Sequence, residues 1–538
     1  MPTNPGWDAA NVAGRSSVKN DFRLASLAVL LPRPTPGSRA LVVDLDSDAL
    51  VDAMTYLGAT VTITHYDVDG LLASSDPGVR STDDGQARPV GSNATLRDSE
   101  DNAYDLAIVD VRRWDETRIP MTDQHDRLEE IRRQLRPNGS LLTITPNAIA
   151  RVWDEAREGD SRVRSATSVA AWMLRQGHTV KFLLRPWQHS VVSRSGFVPM
   201  SVFLPYPSVS DLSAIRAPGA PMATVMRQSW RRARRLTRLF LRYFGHLLTR
   251  EHLVLWSANR GDTPKSPLYF ELGGSRSTVI PMPTGPRVGI DSARTFVKLP
   301  LAEAEAGGIV AEVENTNQAS AYFWRGYAAP WATSGDYEGV SFARFPHMDD
   351  DVVPSEAVEE ALQTIFADVS SRARAERPLD ETDVVHRVQS SLARGLLEGA
   401  ELRRAVRAVL EAGRRPVRVM LSHGDLHRGN ILISKGQFRV IDWQSAETNP
   451  VFLDPLHSAN YLHRQSSARF GPLVAWASGA SLGSLGQIAE HHLDGTARTT
   501  AALLAILHAC SQFGADGSVP AAIAMDAEAA VRSIMRTM

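Results

Sequence analysis

The sequence predicts two unlike halves: an α/β N-terminal half on a doubly wound parallel sheet, and an α+β C-terminal half whose polar residues gather on loops at strand ends. Three observations predict this. In the first half, apolar strand-like runs alternate with helical patterns, the arrangement that sets strands parallel. In the second, LSHGDLHRGNILISKGQFRVIDWQSAETNPVFLD (residues 421–454) threads polar residues between the apolar runs 418–422, 431–433 and 437–441. After residue 456 the chain is rich in Ala and Leu and reads as several packed helices.

A chain of 538 residues is long enough for several domains with cores that need no metal or disulfide. Lys plus Arg (59) nearly balances Asp plus Glu (60), for a net charge of -1, so no nucleic-acid partner is expected. The single cysteine, Cys510, lies in the apolar run 501–510; it reads as a small core hydrophobe and favours a reducing compartment. The N-terminal stretch lacks the apolar region of a secretory signal, and no run of about 18 apolar residues occurs, so the expectation is a cytoplasmic protein.

Residues 1–22 are polar and read as a loose tail. The first domain is expected over 23–210, with strands at 39–44, 60–66, 104–110 and 140–145 and helices at 47–57 and 126–135. This run, with LEEIRRQLRPNGSLLTI and Ser195-Gly196-Phe197, resembles a class I S-adenosylmethionine-dependent methyltransferase and so implies a Rossmann-like domain. It departs from that pattern at the turn after the first strand. There Asp44-Leu45-Asp46-Ser47-Asp48 offers three carboxylates and no glycine for close backbone approach to a cofactor. The reading is a degenerate companion domain, with S-adenosylmethionine disfavoured as a cofactor. Asp67 stands where a ribose-binding acid would be and reads equally as a strand-end turn residue.

Residues 211–262 read as a linker. Within it, 227–250 is strongly basic with apolar residues at helical spacing. Two readings stay open for this helix: packing on a domain, or peripheral contact with the anionic inner face of a membrane.

Phosphoryl transfer needs a carboxylate to orient or deprotonate the acceptor hydroxyl, and metal ligands to neutralise the nucleotide phosphates. His423-x-Asp425-x-x-x-x-Asn430 has the spacing of a kinase catalytic loop, and Asp442 follows after one hairpin. HGDLHRGN followed by VIDW closely resembles the aminoglycoside phosphotransferase and choline kinase family, which has a bilobal protein-kinase-like fold. That resemblance implies Asp425 as catalytic base, Asn430 and Asp442 as Mg2+ ligands, His423 as organiser of the loop, ATP as donor and a small-molecule or glycan hydroxyl as acceptor. It makes Asp454 a brace for the loop and gives His427 no fixed role.

Within the same resemblance, 263–345 is the small lobe and 346–538 the large lobe. Gly273-Gly274-Ser275, between the strand-like LYFEL and TVIPM, is the candidate phosphate-binding turn. Lys298, in the apolar strand RTFVKL, takes the place of the phosphate-pairing lysine and needs a partner, with Glu314 preferred over Glu312. Residues 337–345 read as one strand leading to a hinge, where Phe342, Ala343 and Arg344 would hold the adenine. The acidic run 347–351 reads as a solvated linker or a substrate-facing charge patch, and His457, Asn460, Tyr461 and His463 either line an acceptor pocket or sit inside a helix. A bifunctional methyltransferase and kinase acting on a polysaccharide or glycolipid, and a non-catalytic pseudokinase module, are the alternatives. The intact Asp425, Asn430 and Asp442 argue against the second.

Overall fold

The computed structural model describes residues 21, 23–66, 72–75, 102–116, 119, 121–146, 191–206, 209, 212, 214–216, 251–258, 266–274, 277–282, 287–292, 294–322, 324–328, 332–348, 351–397, 399–434, 436–464, 468–512 and 521–538. The basic stretch 227–250, Asp67, Ser275 and most of the expected tail lie outside them. The chain divides into two compact units, Met1–Ala306 with Asp336–Phe342, and Gly307–Gly335 with Ala343–Met538.

In the first unit, β1 (Ser38–Val43), β2 (Ala59–Tyr66), β3 (Leu72–Ser75), β4 (Tyr104–Asp110), β5 (Leu135–Pro146), β6 (Val198–Tyr206), β7 (Ala214–Arg216), β8 (Glu251–Ser257), β9 (Thr278–Pro281), β10 (Arg287–Asp291) and β11 (Thr295–Pro300) form one sheet. These strands run in the order β11-β10-β9-β7-β6-β8-β5-β4-β1-β2-β3 within it. β1 runs parallel to β2 and β4, and β4 parallel to β5. The helices Asp48–Tyr56 and Met121–Gln134 lie on the connections that make this possible.

The apolar run of β1 is continuous because both its faces are covered. Ala40 and Val42 join one core with Leu50 and Met54, whereas Leu41 and Val43 join another with Leu128 and Ile131.

The expectation of a parallel sheet needs correcting beyond these strands. β8 pairs antiparallel with β5 and β6, and every pairing from β6 to β11 that the structure describes is antiparallel, so the sheet is mixed. β7 pairs with β9 through Ile215 and Val279, and one core runs from Ala25 through Val42 and Leu253 to Val297 and Leu301.

Residues 337–345 are not one strand. β12 (Thr333–Tyr337) and β13 (Val340–Pro346) are joined at Glu338 and Gly339, whose φ values of 52° and 92° form a two-residue hairpin turn. Arg33 holds the hairpin tip through the Tyr337 carbonyl at 2.7 Å.

The second unit contains β14 (Asp351–Val352), β15 (Ala375–Pro378), β16 (Pro416–Ser422), β17 (Ile431–Ser434), β18 (Gln437–Val440) and β19 (Glu447–Pro450). They form two small sheets, β14-β17-β18 and β15-β16-β19. Asp351 is therefore part of a strand that pairs with β17, rather than of a linker.

Helices Val358–Arg372, Asp383–Ala393, Ala400–Glu411, Leu453–His463, Arg498–Ser511 and Ala521–Met535 contribute to one core. Near its centre Trp324 meets Trp443 edge to face at 4.9 Å and donates to the Leu421 carbonyl at 2.7 Å. Cys510 is fully buried in the Arg498–Ser511 helix, and burial pushes its thiol up to about 12. No helix among the described residues is long and apolar enough to cross a membrane.

Candidate active site

β16 ends at Ser422, and the next four residues turn away under tight constraint. The Asp454 carboxylate accepts from the His423 N–H at 2.6 Å and the Gly424 N–H at 3.0 Å. Gln512 donates to the Gly424 carbonyl at 3.0 Å, and Ser458 donates to the Leu426 carbonyl at 2.8 Å. The Asp425 N–H meets His423 Nδ1 at 3.3 Å, and Asn430 Nδ2 donates to the Asp425 carbonyl at 2.9 Å. The loop's backbone is thus committed residue by residue. The Asp425 side chain, by contrast, stays 58% exposed.

Gly424 is required by this path. Its φ is +82°, and a Cβ there would come within 2.5 Å of the Ser445 carbonyl oxygen.

His423 is fully buried. Its Nε2 donates to the Ile441 carbonyl at 2.9 Å, which ties the loop to the residue before Asp442. It positions the loop and does not face solvent.

Burial by the surrounding protein raises the Asp425 carboxyl above its ordinary value. Asp442 and Asp454 push the same way, while His423 and His457 oppose them.

Asp442 adopts the left-handed conformation, φ 69° and ψ 60°, just before the turn Trp443–Ser445. Such backbone in a residue other than glycine concentrates at functional sites. With Asn430 Nδ2 given to the Asp425 carbonyl, the carboxamide oxygen is left for another partner. Asn430 Oδ1 and the Asp442 carboxylate are hard oxygen donors, the type that Mg2+ takes in ones or twos beside phosphate oxygens. No group of three or more His, Cys, Asp or Glu gathers as a metal site among the described residues.

His427 accepts from the Gly429 N–H through Nδ1 at 2.9 Å, so in its neutral form Nε2 carries the proton, 3.7 Å from Asp425 Oδ2. Burial, together with nearby Arg464, lowers its pKa, against the pull of Asp442. Its ring stacks on Tyr461 at 5.2 Å.

Of the other expected pocket residues, His457 turns inward. It bonds the Ala505 carbonyl at 2.9 Å and stacks on the buried His508 at 4.7 Å. Gln512 and Ser458 had no signal in the sequence, since they reach the loop only through tertiary packing.

The remaining expected residues stand on other elements. LYFEL is a helix, Leu268–Gly273, because Leu268, Tyr269 and Leu272 share a buried face, and Gly274 (φ 86°) follows as its C-cap. Gly273 and Gly274 therefore end a helix rather than turn a hairpin; the connection between the two strands before β11 is 282–286. Lys298 is buried in β11, and the Glu303–Ala321 helix buries Glu312 (1% exposed) but turns Glu314 to solvent. This burial favours Glu312 over Glu314 as an acid held inside the protein. The division between the two units falls between Phe342 and Ala343, within the expected hinge segment that ends at Arg344.

The turn after β1 does not fit S-adenosylmethionine. Asp44 takes the left-handed conformation there (φ 56°) and accepts from the Trp114 indole at 2.6 Å. The N-terminus of the next helix is filled by the chain itself: Ser47 accepts from the Leu50 N–H at 3.1 Å and Asp21 from the Ala49 N–H at 3.0 Å.

No curated protein sequence matches the chain. Among solved structures it is similar to the GDP complex of aminoglycoside 2'-phosphotransferase-IIIa, with 10% identity, 47% of this chain and 90% of that chain covered, and a TM-score of 0.31. A choline kinase from Streptococcus pneumoniae is similar at 11% identity, covering 47% and 90%, with a TM-score of 0.30. A choline/ethanolamine kinase family protein from Mesorhizobium loti is similar at 14%, covering 46% and 85%, with a TM-score of 0.29. Residues 339–485, which contain the whole loop and the strands around it, match the model of the phosphotransferase enzyme family.

Proposed function

We propose that the C-terminal half is an ATP- and Mg2+-dependent phosphotransferase that moves the γ-phosphoryl group to a hydroxyl of a small molecule or glycan. The observation that carries this is the contrast at Asp425: its backbone is fixed on both sides, yet its carboxylate remains open to a ligand. That arrangement suits a group that must hold one geometry while meeting a substrate.

In this reading Asp425 accepts the acceptor's proton as the new O–P bond forms and the bond from Pγ to the bridging oxygen breaks, with ADP leaving. Asn430 and Asp442 would hold Mg2+, which would neutralise phosphate charge. His423 and Asp454 keep the loop in place. Lys298 keeps the role of phosphate-pairing lysine that the resemblance gives it, and Phe342, Ala343 and Arg344 that of the adenine-holding hinge.

ADP release from Mg-ATP, measured with a panel of hydroxyl compounds, tests the reading. Asp425→Ala should lower turnover by about 10²-fold or more while leaving the melting temperature near that of the parent chain. Full activity in that variant on an identified acceptor would sink it.

A further inference from the structure

Arg464 forms no ion pair among the described residues. It closes the helix Leu453–His463, and its guanidinium carbon lies 4.2 Å from the centre of the Tyr461 ring. Tyr461 stacks on His427 at 5.2 Å with an angle of 17° between the rings, and His427 Nε2 stands 3.7 Å from Asp425 Oδ2. A ladder of planar groups therefore leads from the carboxylate to a half-buried guanidinium.

Tyr461 and Arg464 are three residues apart at the end of one helix and so share a face. A cation at a helix C-terminus suits the helix dipole, which accounts for the charge at this position. It does not account for the guanidinium being laid on the ring that stacks on the active loop. A site built for a cationic acceptor would place a carboxylate at the end of this ladder, and here it carries Arg464.

We propose that Tyr461 and Arg464 form the acceptor-recognition edge of the site, and that the acceptor is a hydroxyl compound carrying a phosphate or carboxylate, held by Arg464 while its hydroxyl lies at Asp425. A guanidinium meets either anion through two parallel N–H bonds, and a ring beneath it keeps the fork flat. The ladder separates the two ends, so the hydroxyl and the anionic group belong at opposite ends of the acceptor. The inference rests on the phosphotransfer reading of Asp425.

The test is calorimetric titration of the full chain, with ADP and Mg2+ present, using glucose 6-phosphate, glucuronate, glucose and choline. The two anionic probes should bind, and glucose and choline should not. A preference for one anion identifies the group. Arg464→Ala should weaken anion binding about tenfold or more, and Arg464→Lys should restore part of it, since lysine keeps the charge without the fork. ADP affinity should stay the same in both variants.

Binding of choline or glucose as tight as that of the anions would overturn the inference. So would anion binding unchanged in Arg464→Ala, or no anionic probe binding at millimolar concentration. The underlying reading fails differently: if the parent chain turns over no ATP while anion binding still depends on Arg464, phosphotransfer falls and the anion site stands.

Discussion

The two oxygens of Asp454 accept from consecutive backbone N–H groups, with Oδ2 at 2.6 Å from His423 N and Oδ1 at 3.0 Å from Gly424 N. Hydrogen bonds to a buried charge are worth about 1.5–3 kcal/mol each. Asp454→Asn puts an NH2 donor against one of these N–H groups and should destabilise the second unit by roughly 2–4 kcal/mol in urea titration. Turnover should fall more than ATP affinity. Parental stability and rate in the Asp454→Asn variant would contradict the brace.

Gly424 and Gly436 form a matched pair. Both have positive φ, +82° and +78°, but only Gly424 would bring an added Cβ against backbone, at 2.5 Å from the Ser445 oxygen. Gly436→Ala should cost about 1 kcal/mol, the conformational penalty alone. Gly424→Ala should cost more and lower turnover at least tenfold, because the loop must move. Equal effects on thermal unfolding would show that the contact with Ser445 does not matter.

Acid should unfold the second unit through its buried histidines. His492 is lowered to about 4, first by burial and then by Arg418 and His491, and burial holds His508 well below 6.5. The folded state refuses protons that the unfolded state accepts, so stability falls as pH drops below about 6.5. For His492 the loss levels off near pH 4, after on the order of 3 kcal/mol. His492→Gln should flatten that part of the stability curve; an unchanged curve would remove His492 from the account.

In the first unit, Asp21 bonds Ser47 and the Ala49 N–H, occupying the helix N-terminus that a nucleotide-like ligand would need. Asp21→Ala should lower stability by about 1 kcal/mol, as the loss of a cap does. Titration with S-adenosylmethionine should give no saturable heat in the parent chain. A micromolar complex would overturn the reading of this turn.

How much was legible depended on how local each feature is. The strands around the loop form at Pro416–Ser422, Ile431–Ser434 and Gln437–Val440, because short apolar runs bounded by turn residues carry their own signal. The order His423, Asp425, Asn430, Asp442 was readable because these residues lie on one stretch of chain. LYFEL was not readable: five residues, four of them apolar, cannot separate a helical from an alternating period, and only the buried Leu268, Tyr269 and Leu272 show which was chosen. Glu338 hid a hairpin by taking a positive φ that sequence gives little reason to expect. Gln512 reaches Gly424 across 88 positions, a separation that no spacing rule covers.

Phosphotransfer by the loop is best tested through Mg2+-dependent hydrolysis of ATP with water as the acceptor, measured as phosphate release by the parent chain and by the Asp425→Ala and Asp442→Ala variants. Turnover should be slow, need Mg2+, be lost in Asp442→Ala and fall about 10²-fold or more in Asp425→Ala, with all three chains folded. Parental turnover in both variants would contradict it.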